Sequence, residues 1–96
     1  MWVLITYDVS TATATGRARL RRVAQVCKDY GQRVQKSVFE CTVSDKTYEV
    51  MKARLLRIID QEEDSLRFYK LPEERDRRVE EFGRSGIIDF RGPLVV

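Results

Sequence analysis

The chain contains no histidine. That excludes Ser-His and Cys-His nucleophile pairs and a histidine general base, and it removes the commonest zinc ligand. Any catalysis must rest on carboxylates, on a hard metal ion or on phosphates brought by the substrate. Cysteine is nearly as scarce. Cys27 and Cys41 are the two present, too few and too far apart for a CxxC-type zinc or redox motif. Each lies among apolar residues, so both read as buried thiols acting as small hydrophobes. No apolar run approaches the roughly 20 residues needed to cross a bilayer. The N-terminus shows no basic stretch followed by a signal-like apolar core. These absences predict a cytoplasmic protein.

What is present describes a folded chain. Hydrophobic content of 43% against 34% charge in 96 residues predicts one domain, 1–96, with a single modest core. The net charge of +3 conceals an uneven distribution. Residues 1–36 hold seven basic side chains against two acidic ones, Asp8 and Asp29, whereas the remainder holds eleven against thirteen. Clustered positive charge of this kind is how phosphate backbones are gripped.

Val3-Leu4-Ile5 reads as a strand buried on both faces, and it delivers the carboxylate of Asp8 to the strand end. Asp8 is either a turn aspartate bonded to loop amides or the acid around which chemistry is built. Ser10 to Gly16 reads as a loop, followed by a helix over 16–30 with Leu20, Val23, Ala24, Cys27 and Tyr30 at three- and four-residue spacing. Gly31 is its expected stop. The helix carries Arg17, Arg19, Arg21 and Arg22, with Arg33 and Lys36 beyond it. Arginine matches phosphate geometry through paired hydrogen bonds, which makes these residues candidates for nucleic-acid binding.

The alternation over 32–43 loses register at Lys36-Ser37, predicting a bulge or a break between two strands. Ser44 and Asp45 cap a helix running to about Asp60, with Tyr48, Met51, Leu55, Leu56 and Ile59 as its apolar stripe. Ser65 to Leu71 alternates as a strand and Pro72 ends it. Residues 73–83 are dense in charge of both signs and suggest a solvated turn or connection. Residues 86–90 suggest a last short strand, and the apolar tail 94–96 points to packing on a partner, most simply a second copy. The order is α+β, a βαββαβ split arrangement of the ferredoxin-like kind. Exposed aromatics on such a sheet would suit a small RNA-binding module, with Tyr7, Phe39, Phe68 and Tyr69 as candidates.

Tyr7-Asp8, the Arg-rich helix ending in Lys28-Asp29-Tyr30-Gly31, the stretch Arg33-Val34-Gln35-Lys36-Ser37-Val38-Phe39-Glu40, and Arg67-Phe68-Tyr69-Lys70-Leu71 together resemble the CRISPR-associated protein two family over about residues 2–71. The resemblance implies a ferredoxin-like homodimer with an additional C-terminal strand, the extension of about 72–96 contacting the partner protomer. It implies that Asp8 is the catalytic and metal-binding residue, sharing a magnesium ion with Asp8 of the second protomer. It implies a metal-dependent endonuclease on single-stranded RNA or double-stranded DNA, acting in spacer acquisition for antiviral defence. The alternative it implies is a non-catalytic adaptor that binds DNA and bridges CRISPR integrase subunits. Carried over by position, Arg17, Arg19, Arg21, Arg22, Arg33 and Lys36 lie on the nucleic-acid side, and Tyr7, Ser37 and Phe39 lie near the dimer centre.

Overall fold

A computed structural model describes residues 1–72 and 79–83. The expected strand at 86–90, the tail 94–96 and residues 73–78 of the charged stretch lie outside the described residues. Within them the element order is β1 (Trp2–Asp8), α1 (Ala14–Tyr30), β2 (Gly31–Gln35), β3 (Val38–Thr42), α2 (Asp45–Ile58) and β4 (Ser65–Leu71). The four strands form one sheet in the order β2-β3-β1-β4, with every neighbouring pair antiparallel. This is the ferredoxin-like α+β arrangement read from the sequence.

The helix ends follow from local chemistry. Thr13 caps α1, its hydroxyl accepting from the Gly16 N–H at 3.0 Å, and Ser44 caps α2 by accepting from the Thr47 N–H at 3.1 Å. Each cap satisfies one of the amide donors that a helix start leaves without a partner. The break at Lys36-Ser37 is a two-residue turn joining β2 to β3, with a register shift between Arg33 and Gln35.

Gly31 is the helix stop expected of it, its N–H donating to the Cys27 carbonyl, but it stops α1 without a left-handed turn. Its φ of −158° is ordinary extended backbone, and it opens β2. A Cβ there would overlap the Glu40 carbonyl oxygen and sit 2.6 Å from the Cys41 sulfur. The requirement is close approach of β2 to β3, not a left-handed cap.

One face of the sheet is packed by both helices. Val3, Ile5 and Tyr7 of β1 join Phe39 and Cys41 of β3, Val23, Val26 and Cys27 of α1, and Tyr48, Met51 and Leu55 of α2. Full burial of a side chain such as Ile5 or Met51 contributes about 1.5–3 kcal/mol. Tyr7 and Phe39 stack with centroids 6.2 Å apart, and Tyr48 meets Phe68 edge-on at 5.6 Å. Both thiols lie in this core as expected, free and buried. Desolvation pushes Cys27 up to about 12 and Cys41 up to about 11.

The strand Val3-Leu4-Ile5 is not buried equally on both faces. Val3 and Ile5 are sealed, whereas Leu4 is half-buried and pairs with Glu40 and Tyr69 on the side away from the helices. A two-residue side-chain period sends Leu4, Thr6 and Asp8 together to that second face.

Candidate nucleic-acid and metal-binding site

Asp8 closes β1 opposite Ser65, the first residue of β4. It is exposed, and its carboxylate makes no hydrogen bond or ion pair among the described residues. The loop amides that a turn aspartate would hold are served elsewhere: the Ser10 N–H goes to Asp64. Asp8 is thus a carboxylate held at a rigid strand end with both oxygens available. Among the described residues, no three His, Cys, Asp or Glu side chains converge into a metal-holding group. Magnesium usually takes one or two carboxylates and completes its octahedron with waters and phosphate oxygens. Among the described residues one chain brings Asp8 alone to this strand end, so the donor set fits such an ion as one half of a shared site.

Beyond the strand end lies α1. Arg17, Arg21 and Arg22 are exposed. Arg17 donates to the Thr11 carbonyl at 3.2 Å, and none of the three has an acidic partner among the described residues. The first turn of α1 contains no acidic residue. Cations near a helix N-terminus oppose its dipole at a cost of about 0.3–1 kcal/mol each, so helix stability does not explain arginine there.

Arg19 points elsewhere. Its Nε donates to Asp64 at 2.8 Å and its Nη2 at 3.3 Å, and its side chain is only 12% exposed. The guanidinium is turned inward from the face that Arg17 and Arg21 present. The sequence pattern could not distinguish it from its neighbours, because its partner lies 45 residues away.

Arg33 is exposed at the opposite edge, stacked over the Phe39 ring at 5.1 Å. Burial raises the Tyr7 hydroxyl above its ordinary range, and a hydrogen bond from Arg33 partly offsets that. Ser37 accepts from the Tyr7 N–H through its carbonyl at 3.2 Å, so Tyr7, Ser37 and Phe39 do meet in one place, near the end of β1. Lys36 is exposed in the turn beside them. Tyr7 and Phe39 lie in the core and Phe68 packs against it, which removes three of the four aromatics considered for base stacking. Tyr69 is 41% exposed on the face away from the helices, its hydroxyl accepting from Arg67 at 2.8 Å.

Arg67 was not singled out by the sequence. It pairs with Thr6, two residues along the ladder from the Asp8–Ser65 pair, and so shares the sheet face of Asp8. The alternation of Ser65 to Leu71, combined with the β1–β4 register, was the signal that could have found it.

The family model described as CRISPR associated protein Cas2 matches residues 1–79. The chain belongs to the Cas2 family. It is 57% identical over 96 residues to a protein of Moorella thermoacetica named CRISPR-associated endoribonuclease Cas2 1, covering 100% of both chains. It is 48% identical over 95 residues to CRISPR-associated endonuclease Cas2 of Halalkalibacterium halodurans, covering 99% of each. The crystal structure of Streptococcus pyogenes Cas2 superposes with a TM-score of 0.77 at 57% identity, spanning 86% of this chain and 100% of that one. Cas2 membership accords with the ferredoxin-like sheet. Among the described residues, no helix is long and apolar enough to cross a membrane.

Proposed function

We propose that this protein is a metal-dependent endonuclease that hydrolyses phosphodiester bonds in RNA or duplex DNA during spacer acquisition. The observation that carries the reading is the free carboxylate of Asp8 at the end of β1, followed in the chain by the exposed arginines of α1. The names of its Cas2 relatives, endoribonuclease and endonuclease, support the same chemistry. In this reading Asp8 holds a magnesium ion together with Asp8 of a second copy of the chain. When bound, the ion would supply acidification of a water and screening of the scissile phosphate. Arg17, Arg21 and Arg22 bind the phosphate backbone and orient it, and their fixed charges favour the extra negative charge of the transition state.

The same sheet face supports a homodimer in this reading. Leu4 and Tyr69 remain partly exposed there, beside Asp8 and away from the helices. A second copy covering this face would shield apolar surface and could supply the second carboxylate. Residues of about 72–96 would extend that contact. A second reading is an adaptor that binds DNA and bridges integrase subunits, with cleavage incidental. It is favoured by the arginines of α1, which bind backbone whether or not Asp8 acts.

The deciding assay measures cleavage by wild type and Asp8→Ala on single-stranded RNA and duplex DNA, with and without magnesium. Cleavage that requires magnesium and disappears in a folded, dimeric Asp8→Ala protein is the expected result. Cleavage by Asp8→Ala at the wild-type rate would refute the catalytic assignment. Wild type that binds duplex DNA without cutting either substrate would favour the adaptor.

A further inference from the structure

Asp64 is the charged residue buried among the described residues, and its side chain is fully shielded from solvent. Its two oxygens receive four donors. Oδ1 accepts from the Ser10 N–H at 3.0 Å and from Arg19 Nη2 at 3.3 Å; Oδ2 accepts from Arg19 Nε at 2.8 Å and from the Asp60 N–H at 2.9 Å. A carboxylate has about four lone-pair sites, so none remains for a metal or a substrate. The role of Asp64 must lie in what it holds.

What it holds is the chain on either side of the candidate site. Ser10 follows Asp8 by two residues, and Ser65, directly after Asp64, is the register partner of Asp8. The Ser10 peptide is also confined from its other end, because the Cα of Gly16 in α1 lies so close that a Cβ would overlap the Ser10 carbonyl oxygen. The loop after β1, α1 and the segment before β4 therefore meet at one carboxylate. A buried ion pair is often no more stabilising than apolar residues of the same volume, but it fixes directions that apolar packing leaves loose.

We infer that Asp64, oriented by Arg19, is a positioning residue that fixes the direction in which β1 presents the Asp8 carboxylate. The inference rests on the reading of Asp8 as a metal-holding residue, and it gives Arg19 a task distinct from gripping phosphate. Arg19 acts through Asp64 and Ser10, while Arg17, Arg21 and Arg22 face solvent.

The test uses the full chain with Mn²⁺ as the probe, its binding followed by electron paramagnetic resonance. Asp64→Asn keeps the size and one acceptor oxygen but loses the charge and half the lone-pair capacity. Its Mn²⁺ affinity is expected to fall about tenfold, the lower end of what loss of a group supporting a metal ligand does. Exchange of the Ser10 amide should accelerate, while the salt dependence of DNA binding stays at the wild-type slope. Arg19→Gln leaves both backbone bonds to Asp64 in place and carries the test if Asp64→Asn does not fold. It should lower Mn²⁺ affinity in the same direction, and the double variant should lose no more than Asp64→Asn alone. Wild-type Mn²⁺ affinity in a folded Asp64→Asn or Arg19→Gln protein would overturn the inference. Asp8→Ala separates the two levels: if it too binds Mn²⁺ as wild type does, the reading of Asp8 fails and the positioning role with it. If only Asp8→Ala loses Mn²⁺, the positioning role fails alone.

Discussion

Gly16→Ala reverses an ordinary expectation about helices. Gly16 lies in the first turn of α1 with helical backbone, where alanine is normally the better residue by about 1 kcal/mol. The tertiary contact opposes that gain. The new Cβ would overlap the Ser10 carbonyl oxygen and stand 3.1 Å from its carbon. Both are backbone atoms, and Ser10 cannot retreat freely because its N–H is bonded to buried Asp64. Overpacking of a well-packed site costs about 1–3 kcal/mol, and the upper part of that range applies where the obstacle is backbone. Subtracting the propensity gain leaves a net destabilisation of about 1–2 kcal/mol. At roughly 4–8 °C per kcal/mol for a domain of this size, the melting temperature should fall by about 4–16 °C. Urea denaturation with an unchanged slope is the measurement, run at one protein concentration so that subunit association does not enter. A variant as stable as wild type, or more stable, would show that α1 can shift away from Ser10 without cost, and the tight joint behind Asp8 would be refuted.

Two further outcomes follow from charge and burial. Replacing Arg21 and Arg22 together by Gln should weaken DNA binding and reduce its logarithmic salt slope by roughly 1–2, about 0.9 for each phosphate that is no longer neutralised; an unchanged slope measured by anisotropy would remove α1 from the interface. The thiols supply a pH dependence. Cys27 and Cys41 ionise at about 12 and about 11 in the folded chain against 9.0 when unperturbed, so between these values the native state holds protons that the unfolded state releases. Stability should therefore fall as pH rises above 9.0. A Cys27→Ala, Cys41→Ala protein with the same alkaline unfolding curve would contradict that account, as would rapid alkylation of either native thiol at neutral pH.

Much of the fold is legible from local signals. The apolar spacing of α1 and α2, the hydroxyl cap at Ser44, and the loss of alternation at Lys36-Ser37 each report on a few neighbouring residues, which is why the element order could be read directly. The stripe of α1 was placed almost correctly, but Val26 is buried in the core while Leu20 and Tyr30 are only partly covered. Helical periodicity gives a face, and the facing layer decides its edges. The assignment of α1 to 16–30 missed Ala14 and Thr15, because glycine looked like a boundary when it was a close-packing position inside the first turn.

The candidate site divides in the same way. Sequence alone placed Asp8 at a strand end, put the positive charge on the helix that follows it, and excluded histidine chemistry. These properties are fixed by residue identity and short-range order. The tertiary structure decided which arginine faces outward and which is bound to Asp64, and it put Arg67 on the sheet face of Asp8. It also decided that Gly16 and Gly31 are sites of backbone approach. Each of these depends on contacts between elements distant in the chain, set by the antiparallel register of β1 with β3 and β4 and by how closely α1 lies on the loop after Asp8. A one-residue slip in that register would move Asp8 to the other face, so the sequence supplies the carboxylate and the sheet supplies its direction.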